Sequence, residues 1–403
     1  MFGIQRSPRI TLFGAGQRMA AGSVVRDCGH RAFICTDERI HVDQRLNDVV
    51  DALTAAGVTH AIYASTQPEL PASCVMEAAD QAREFRPDVV IGLGGGSCLD
   101  VAKLVAAILA HDMPLSEMYG ESKLPGPTVP VIAIPTTSGT GSEATPVAVI
   151  GDPDLVLKVG ISSPYLIPHA AICDPELTLT CPPMLTAVSG ADALTHAIEA
   201  FTAVRREPTA SLAHDHVFVG KNALSDANAR LAFGALMRDL PAAVRDGGNL
   251  PARERVMYGA YCAGLAFGAA GTAAAHAIQY PVGALTHTAH GLGVAALLPY
   301  VLRFNRSHCT PELAELARGL DLAGGTDDAL AGAMLERVDA LLTEIGIPSS
   351  LKDIGVPEDR LDWIAEGALG IARLIKNNPR PIDLPAMRTL VRRAYEGDKK
   401  IEV

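Results

Sequence analysis

With 403 residues the chain is longer than one hydrophobic core usually serves, and 48% hydrophobic content supplies enough apolar side chains for two domains. The 45 acidic against 34 basic residues give a formal net charge of -11, which argues against a nucleic-acid partner, since phosphate binding needs clustered Lys and Arg. An anionic ligand must find local help, from a helix start or a glycine turn.

The first six residues, Met1-Phe2-Gly3-Ile4-Gln5-Arg6, lack the long apolar stretch of a secretory signal. Ile10 to Phe13 reads as an edge strand able to pair across a two-fold axis. Arg31 to Asp37, Thr59 to Ala64 and Pro87 to Leu93 read as further strands, separated by amphipathic helices at Leu46 to Ala56 and Ser73 to Phe85. Strand, helix, strand in this rhythm predicts a parallel sheet covered on both faces. Val129 to Ile134 supplies another buried strand, and Val147 to Ile150 with Leu155 to Val159, joined through Asp152-Pro153-Asp154, reads as a hairpin.

After Pro182-Pro183 Ala-rich helical periodicity takes over, broken near Gly247-Gly248, Pro281, Gly324-Gly325 and Pro379. An α/β domain over 1–181 followed by an all-α domain over 182–403 is therefore expected. Val256 to Leu302 contains no Asp, Glu, Lys or Arg. It still does not read as a membrane span, because His276, Gln279, Tyr280, His287, His290 and Pro281 interrupt it, and its Ala and Gly suit closely packed buried helices. The eight cysteines form no Cys-x-x-Cys pair, so reduced thiols in a cytoplasmic protein are expected.

Two loops carry chemistry in the first domain. Gly94-Gly95-Gly96-Ser97-Cys98-Leu99-Asp100 follows a strand and opens a helix, where glycines permit close backbone approach and the helix start can hold a pyrophosphate. A tight βα connection with no ligand has the same look. Pro135-Thr136-Thr137-Ser138-Gly139-Thr140-Gly141-Ser142-Glu143 again follows a strand and sets hydroxyls among glycines, as a ribose-phosphate needs. Asp37 closes an early strand, where a carboxylate accepts from a ribose 2'-hydroxyl and repels a 2'-phosphate, favouring NAD over NADP.

In the second domain Asp192 and His196 stand at i and i+4, so a helix points both from one face. His276 and His290, in the uncharged stretch, would complete an N3O metal shell. Taken singly, a histidine in an apolar segment is more often a hydrogen-bonded core residue than a ligand.

Gly94-Gly95-Gly96-Ser97-x-x-Asp100-x-Ala102-Lys103, Pro135-Thr136-Thr137-x-Gly139-Thr140-Gly141-Ser142-Glu143, Asp192-Ala193-Leu194-Thr195-His196-Ala197-Ile198-Glu199-Ala200, His276 to His290-Gly291 and Asn378-Pro379-Arg380 resemble, in order, the iron-containing (group III) alcohol dehydrogenases. The likeness runs from about Pro8 to Tyr395. It implies a Rossmann-like dinucleotide domain, a helical C-terminal domain (the dehydroquinate synthase-like architecture), and a catalytic Fe(II), or sometimes Zn(II), in the cleft between them. The implied metal ligands are Asp192, His196, His276 and His290; the implied cofactor contacts are Asp37, Gly94, Gly95, Gly96, Ser97, Asp100, Thr136, Thr137, Thr140 and Lys158. A metal-dependent hydride exchange between NAD(H) and a small primary alcohol or its aldehyde follows, in a homodimer or larger homo-oligomer.

One position departs from the family pattern. His276-Ala277-Ile278-Gln279-Tyr280-Pro281 puts tyrosine where a second histidine usually stands, and an unperturbed phenol, with a pKa of about 10, is a poor base near neutrality. Tyr280 or His287 is expected to relay the substrate proton. The substitution keeps a hydroxy-acid dehydrogenase or hydroxyacid-oxoacid transhydrogenase open as an alternative. A lyase resembling dehydroquinate synthase needs a basic site for a phosphorylated carboxylate substrate, which the uncharged stretch around His276 and His290 disfavours. Maleylacetate reductase works without metal, and Asp192 beside His196 argues against it. The small side chains of Gly268 to Ala275 point either to room for a larger substrate or to tight helix packing.

Overall fold

The computed structural model describes residues 1–155 and 157–400. The chain divides into two compact units, Arg6–Cys181 with His214–Val217, and Met1–Gln5 with Pro182–Ala213 and Phe218 onward.

The strands are β1 (Ile10–Phe13), β2 (Arg31–Cys35), β3 (Thr59–Tyr63), β4 (Val89–Gly94), β5 (Gly120–Glu121), β6 (Val131–Pro135), β7 (Val147–Ile150), β8 (Val159–Ser162) and β9 (Ala170–Cys173). The helices of the same unit are α1 (Ala21–Arg26), α2 (Glu38–His41), α3 (Gln44–Ala55), α4 (Ala72–Phe85) and α5 (Gly96–His111). Six strands form one sheet in the order β1-β9-β6-β4-β2-β3, every pair parallel. β4, β6 and β9 are buried along their whole length, as apolar runs such as Val89-Val90-Ile91 and Val131-Ile132-Ala133-Ile134 require when helices cover both faces.

The two-residue period sorts side chains between those faces. Phe33 and Cys35 pack with Val75, Ala78, Val101 and Val105 from α4 and α5, while Ala32 and Ile34 pack with Val25, Val49 and Leu53 from α1 and α3. Because all six strands run the same way, the carboxyl ends of β2, β4 and β6 lie side by side, where open parallel sheets bind ligands.

The hairpin pairs β7 with β8 from Ile150↔Val159 to Val147↔Ser162. Its return strand therefore starts at Val159, not at Leu155, and Val156 lies outside the described residues. The reason is local: Leu155 is exposed and Lys158 pairs with Glu69, so neither residue lies in the strand.

The second unit is built on α6 (Pro183–Thr202), followed by α7 (Leu212–Asp215), α8 (Ala223–Arg245), α9 (Leu250–Ala270), α10 (Ala274–Thr286), α11 (His290–Gly319), α12 (Asp327–Glu344), α13 (Leu361–Gly370), α14 (Ala372–Ile375) and α15 (Leu384–Glu396). α6 is buried almost all round, packed by α8, α9 and α11, so Asp192, Thr195, His196 and Glu199 are held inside the core rather than on its surface. α9 and α10 meet at 101° across Gly271, whose φ of +84° explains the glycine. α10 runs through Pro281 instead of ending there, whereas α11 breaks at Cys309, two residues before Pro311. Among the described residues no single helix is long and apolar enough to cross a membrane.

Candidate functional site

α6 sets the metal group. Asp192 and His196, one helical turn apart, face His276 from the first turn of α10 and His290 from the first residue of α11. Three imidazole Nε2 atoms surround one oxygen: His276, His196 and His290 lie 3.6, 3.8 and 4.0 Å from Asp192 Oδ1. These separations are too long for hydrogen bonds. Asp192 Oδ1 and His276 Nε2 are both buried with no hydrogen-bond partner.

Bonds of about 2.0–2.2 Å in a tetrahedral shell put ligand atoms about 3.3–3.6 Å apart, so this spacing suits a divalent cation. The ligand atoms of Asp192, His276 and His290 all lie within 4.8 Å of one another, and His196 stands beside that trio. Its ring stacks between Phe267 and His276, with centroids 4.0 and 4.7 Å away. The His290 side chain keeps 39% of its exposure, while Asp192, His196 and His276 are buried. The group is therefore open on the His290 side.

Electrostatics make the same place attractive to positive charge. Burial alone would raise the Asp192 carboxyl, but the imidazoles of His196, His276 and His290 outweigh it and hold the group well below the usual range. Burial pushes His196 down to about 4, leaving it neutral near pH 7 as a metal ligand must be. Burial would also lower His276, yet Glu199 and Asp192 carry it up to about 9. Near pH 7 the metal-free His276 therefore keeps a second proton between its two carboxylates, which a metal ion would have to displace.

Two residues at this centre escaped sequence reasoning. Glu199 accepts hydrogen bonds from His276 Nδ1 and from the backbone N–H groups of Ala273 and Ala275. Asn377 donates through Nδ2 to the carbonyls of Ala270 and Thr272. Both reach main-chain atoms of the small-sided run Gly268 to Ala275. Tyr280, half-buried, presents its ring edge-on to His290 at 6.4 Å between centroids, whereas His287 is exposed in the left-handed region at φ +51°.

In the first unit Gly94 ends β4 at φ +151°, where a Cβ would meet Cys98 Sγ at 2.5 Å. Gly95 stands at the start of α5 with no side-chain cap, leaving the helix's leading N–H groups to a ligand, with Ser97 in the first turn. The threonine loop lies against this turn: Thr136 N donates to Gly94 O, Thr137 borders Gly95, and a Cβ on Gly96 would come within 2.7 Å of Thr140 Cγ2. Asp37 Oδ2 sits 3.7 Å from Cys98 Sγ, and Oδ1 accepts from Ile40 N, capping α2.

Asp100 and Lys158 are differently placed. Asp100 accepts from Ser142 Oγ at 2.6 Å and from Val149 N at 2.9 Å, so one carboxylate oxygen holds the threonine loop and the other holds β7. Lys103, fully buried, donates to the carbonyls of Thr145 and Val147 and fastens the chain between that loop and β7 to α5. Lys158 forms its ion pair with Glu69 at 3.2 Å.

A glycine turn at an uncapped helix start and a buried group of one carboxylate and three imidazoles suit metal-assisted oxidoreduction. Residues 8–175 match the family described as iron-containing alcohol dehydrogenase, and residues 186–395 match the C-terminal part of the Fe-containing alcohol dehydrogenase family. The chain belongs to the iron-containing alcohol dehydrogenase family. It is 35% identical to long-chain-alcohol dehydrogenase 1 of Geobacillus thermodenitrificans over 372 residues, 90% of this chain and 89% of that protein. Its fold superposes on crystalline 1,3-propanediol oxidoreductase with a TM-score of 0.91 at 29% identity, covering 98% of this chain and 100% of the other. Sulfoacetaldehyde reductase from Bifidobacterium kashiwanohense, solved in complex with NAD+, gives 0.85 at 29% identity, covering 98% of this chain and 99% of that one.

Proposed function

We propose that the chain exchanges a hydride between NAD(H) and a primary alcohol or its aldehyde, with Fe(II) or Zn(II) held by Asp192, His196, His276 and His290. The single observation that carries this reading is the convergence of three Nε2 atoms on the unpartnered Asp192 Oδ1. A divalent ion held by these four side chains would supply Lewis acidity to a substrate hydroxyl.

The chain's own residues do the rest. Gly94, Gly95, Gly96 and Ser97 offer backbone N–H groups to the cofactor pyrophosphate, and Thr136, Thr137 and Thr140 add hydroxyls from the adjoining loop. Asp37, beside the glycine turn, accepts from the adenosine ribose and disfavours a 2'-phosphate. Tyr280 holds the substrate proton by hydrogen bonding and hands it toward solvent, where His287 is exposed. Asp100 acts at one remove by shaping the threonine loop, and Lys158 serves the cofactor only by exchanging Glu69 for it.

Cytoplasmic residence is supported by the eight free cysteines, seven of them buried. Homodimerisation is supported by β1, the outermost strand of the sheet, whose Ile10 is exposed. The test is alcohol-dependent formation of NADH by the purified protein. Activity abolished by a chelator and restored by Fe(II) or Zn(II) supports the proposal; full turnover after complete metal removal overturns it.

A further inference from the structure

Asp192, His196 and Glu199 occupy positions i, i+4 and i+7 of α6, one continuous stripe of a helix, yet Glu199 points to the far side of His276 from the other two. Its Oε2 accepts from His276 Nδ1 at 2.6 Å and from Ala273 N at 2.8 Å, and its Oε1 accepts from Ala275 N at 2.8 Å. α10 has no side-chain cap of its own, so this carboxylate from another helix satisfies the N–H groups at its start. The residue is 3% exposed, and both carboxylate oxygens are engaged by these three donors.

Resting on the metal reading above, we propose that Glu199 is a positioning residue that sets metal affinity by fixing His276 with its proton on Nδ1 and its Nε2 lone pair facing Asp192. A carboxylate can accept from Nδ1–H but cannot donate to it, so Nε2 is left free for a cation. The same two oxygens tie ring orientation to the backbone of Ala273 and Ala275, so His276 cannot turn without unseating the first turn of α10. The negative charge behind the ring also strengthens Nε2 as a donor to a cation.

Glu199→Gln tests the idea, because an amide has one acceptor oxygen and its NH2 group must then face an N–H. Metal-free wild type and variant are titrated with Zn(II) against a chromophoric chelator, and metal-free melting is recorded for both. The expected result is an affinity lower by about 10–100-fold in Glu199→Gln, partly recovered in Glu199→Asp, with no further loss when Glu199→Gln is added to His276→Ala. Equal Zn(II) affinity in wild type and Glu199→Gln, whatever the melting shift, overturns the proposal and leaves a helix cap. Wild type that takes up no Zn(II) overturns the metal reading itself, and this proposal with it. A measurement independent of position 199 is the 15N spectrum of histidine-labelled, Zn(II)-loaded wild type, with His276 identified by its loss in His276→Ala. A proton on Nδ1 supports the assignment; a proton on Nε2 refutes it.

Discussion

Gly291 on α11 abuts Asp192 on α6 so closely that a Cβ at position 291 would lie 2.9 Å from Asp192 Cβ and 2.5 Å from the carbonyl oxygen of Val188. The neighbour is backbone and cannot swing aside. Ala is a better helix former than Gly by about 1 kcal/mol, but overpacking against main chain costs about 1–3 kcal/mol, so the clash wins. Gly291→Ala should lower the melting temperature and weaken Zn(II) binding by about 10-fold or more while every ligand remains in the chain. Metal content and melting of the purified variant check this, and unchanged metal content would count against the tight α6–α11 contact.

Asp37 has two separable tasks. Its Oδ1 caps α2 through Ile40 N at 2.8 Å, and its Oδ2, 3.7 Å from Cys98 Sγ beside the glycine turn, carries the ribose contact proposed above. Asp37→Ala should cost about 1 kcal/mol of stability and shift the ratio of kcat/KM for NAD and NADP toward NADP. Asp37→Ser keeps a capping oxygen, so stability should return while the cofactor shift persists. A ratio unmoved in both variants would sink the assignment of Asp37 to the ribose.

Glu143 and Lys103 are buried in the threonine-loop anchor with opposite pH signatures. Burial raises Glu143 from 4.5 to about 7, against the pull of its own backbone N–H and of Lys103. Burial lowers Lys103 from 10.5 to about 8, against the pull of Asp100 and Glu143. Between 4.5 and about 7 the folded chain binds more protons at Glu143 than the unfolded chain, so stability falls as pH rises through that window. Between about 8 and 10.5 the folded chain binds fewer at Lys103, so stability rises with pH there. Glu143→Gln should flatten the fall by up to about 3 kcal/mol and, by removing a charge that holds Lys103 up, extend the alkaline rise to lower pH. Denaturant titrations at a series of pH values show it, and an unaltered acid limb would contradict the burial account.

Tyr280 is testable through proton transfer. Tyr280→Phe should reduce kcat by about 10- to 100-fold, because it removes the hydroxyl and keeps the ring packed against His290. Tyr280→His should restore turnover and move its pH dependence toward the imidazole range, near 6.5. Identical pH profiles for wild type and Tyr280→Phe would reduce Tyr280 to packing and transfer the relay to His287.

Much of this was readable from residue spacing. Runs such as Val89-Val90-Ile91 and Val131 to Ile134 announce buried parallel strands, and Asp192 with His196 announces a shared helix face. β9 gave no such signal, since Ala170-Ala171-Ile172-Cys173 is short and small-sided; its neighbours β1 and β6 make it a strand. The hairpin register slipped because the alternation around Leu155 to Val159 resembles a strand while the chain is still turning. Glu199 looks like an ordinary helix glutamate, and only its i+7 spacing from Asp192 could have marked it. Asp100 has a structural task that spacing alone does not reveal, since its partners Ser142 and Val149 lie 42 and 49 residues away.

Asn377 gives the centre a sequence of assembly. The bend that presents His276 is clipped by an amide 107 residues downstream of Ala270, so a growing chain displays all four histidine and aspartate groups well before the clip exists. Loading should consequently ripen late, after α14 has emerged and folded back, and polypeptides cut short before Asn377 should scavenge iron or zinc poorly even where their remaining helices form.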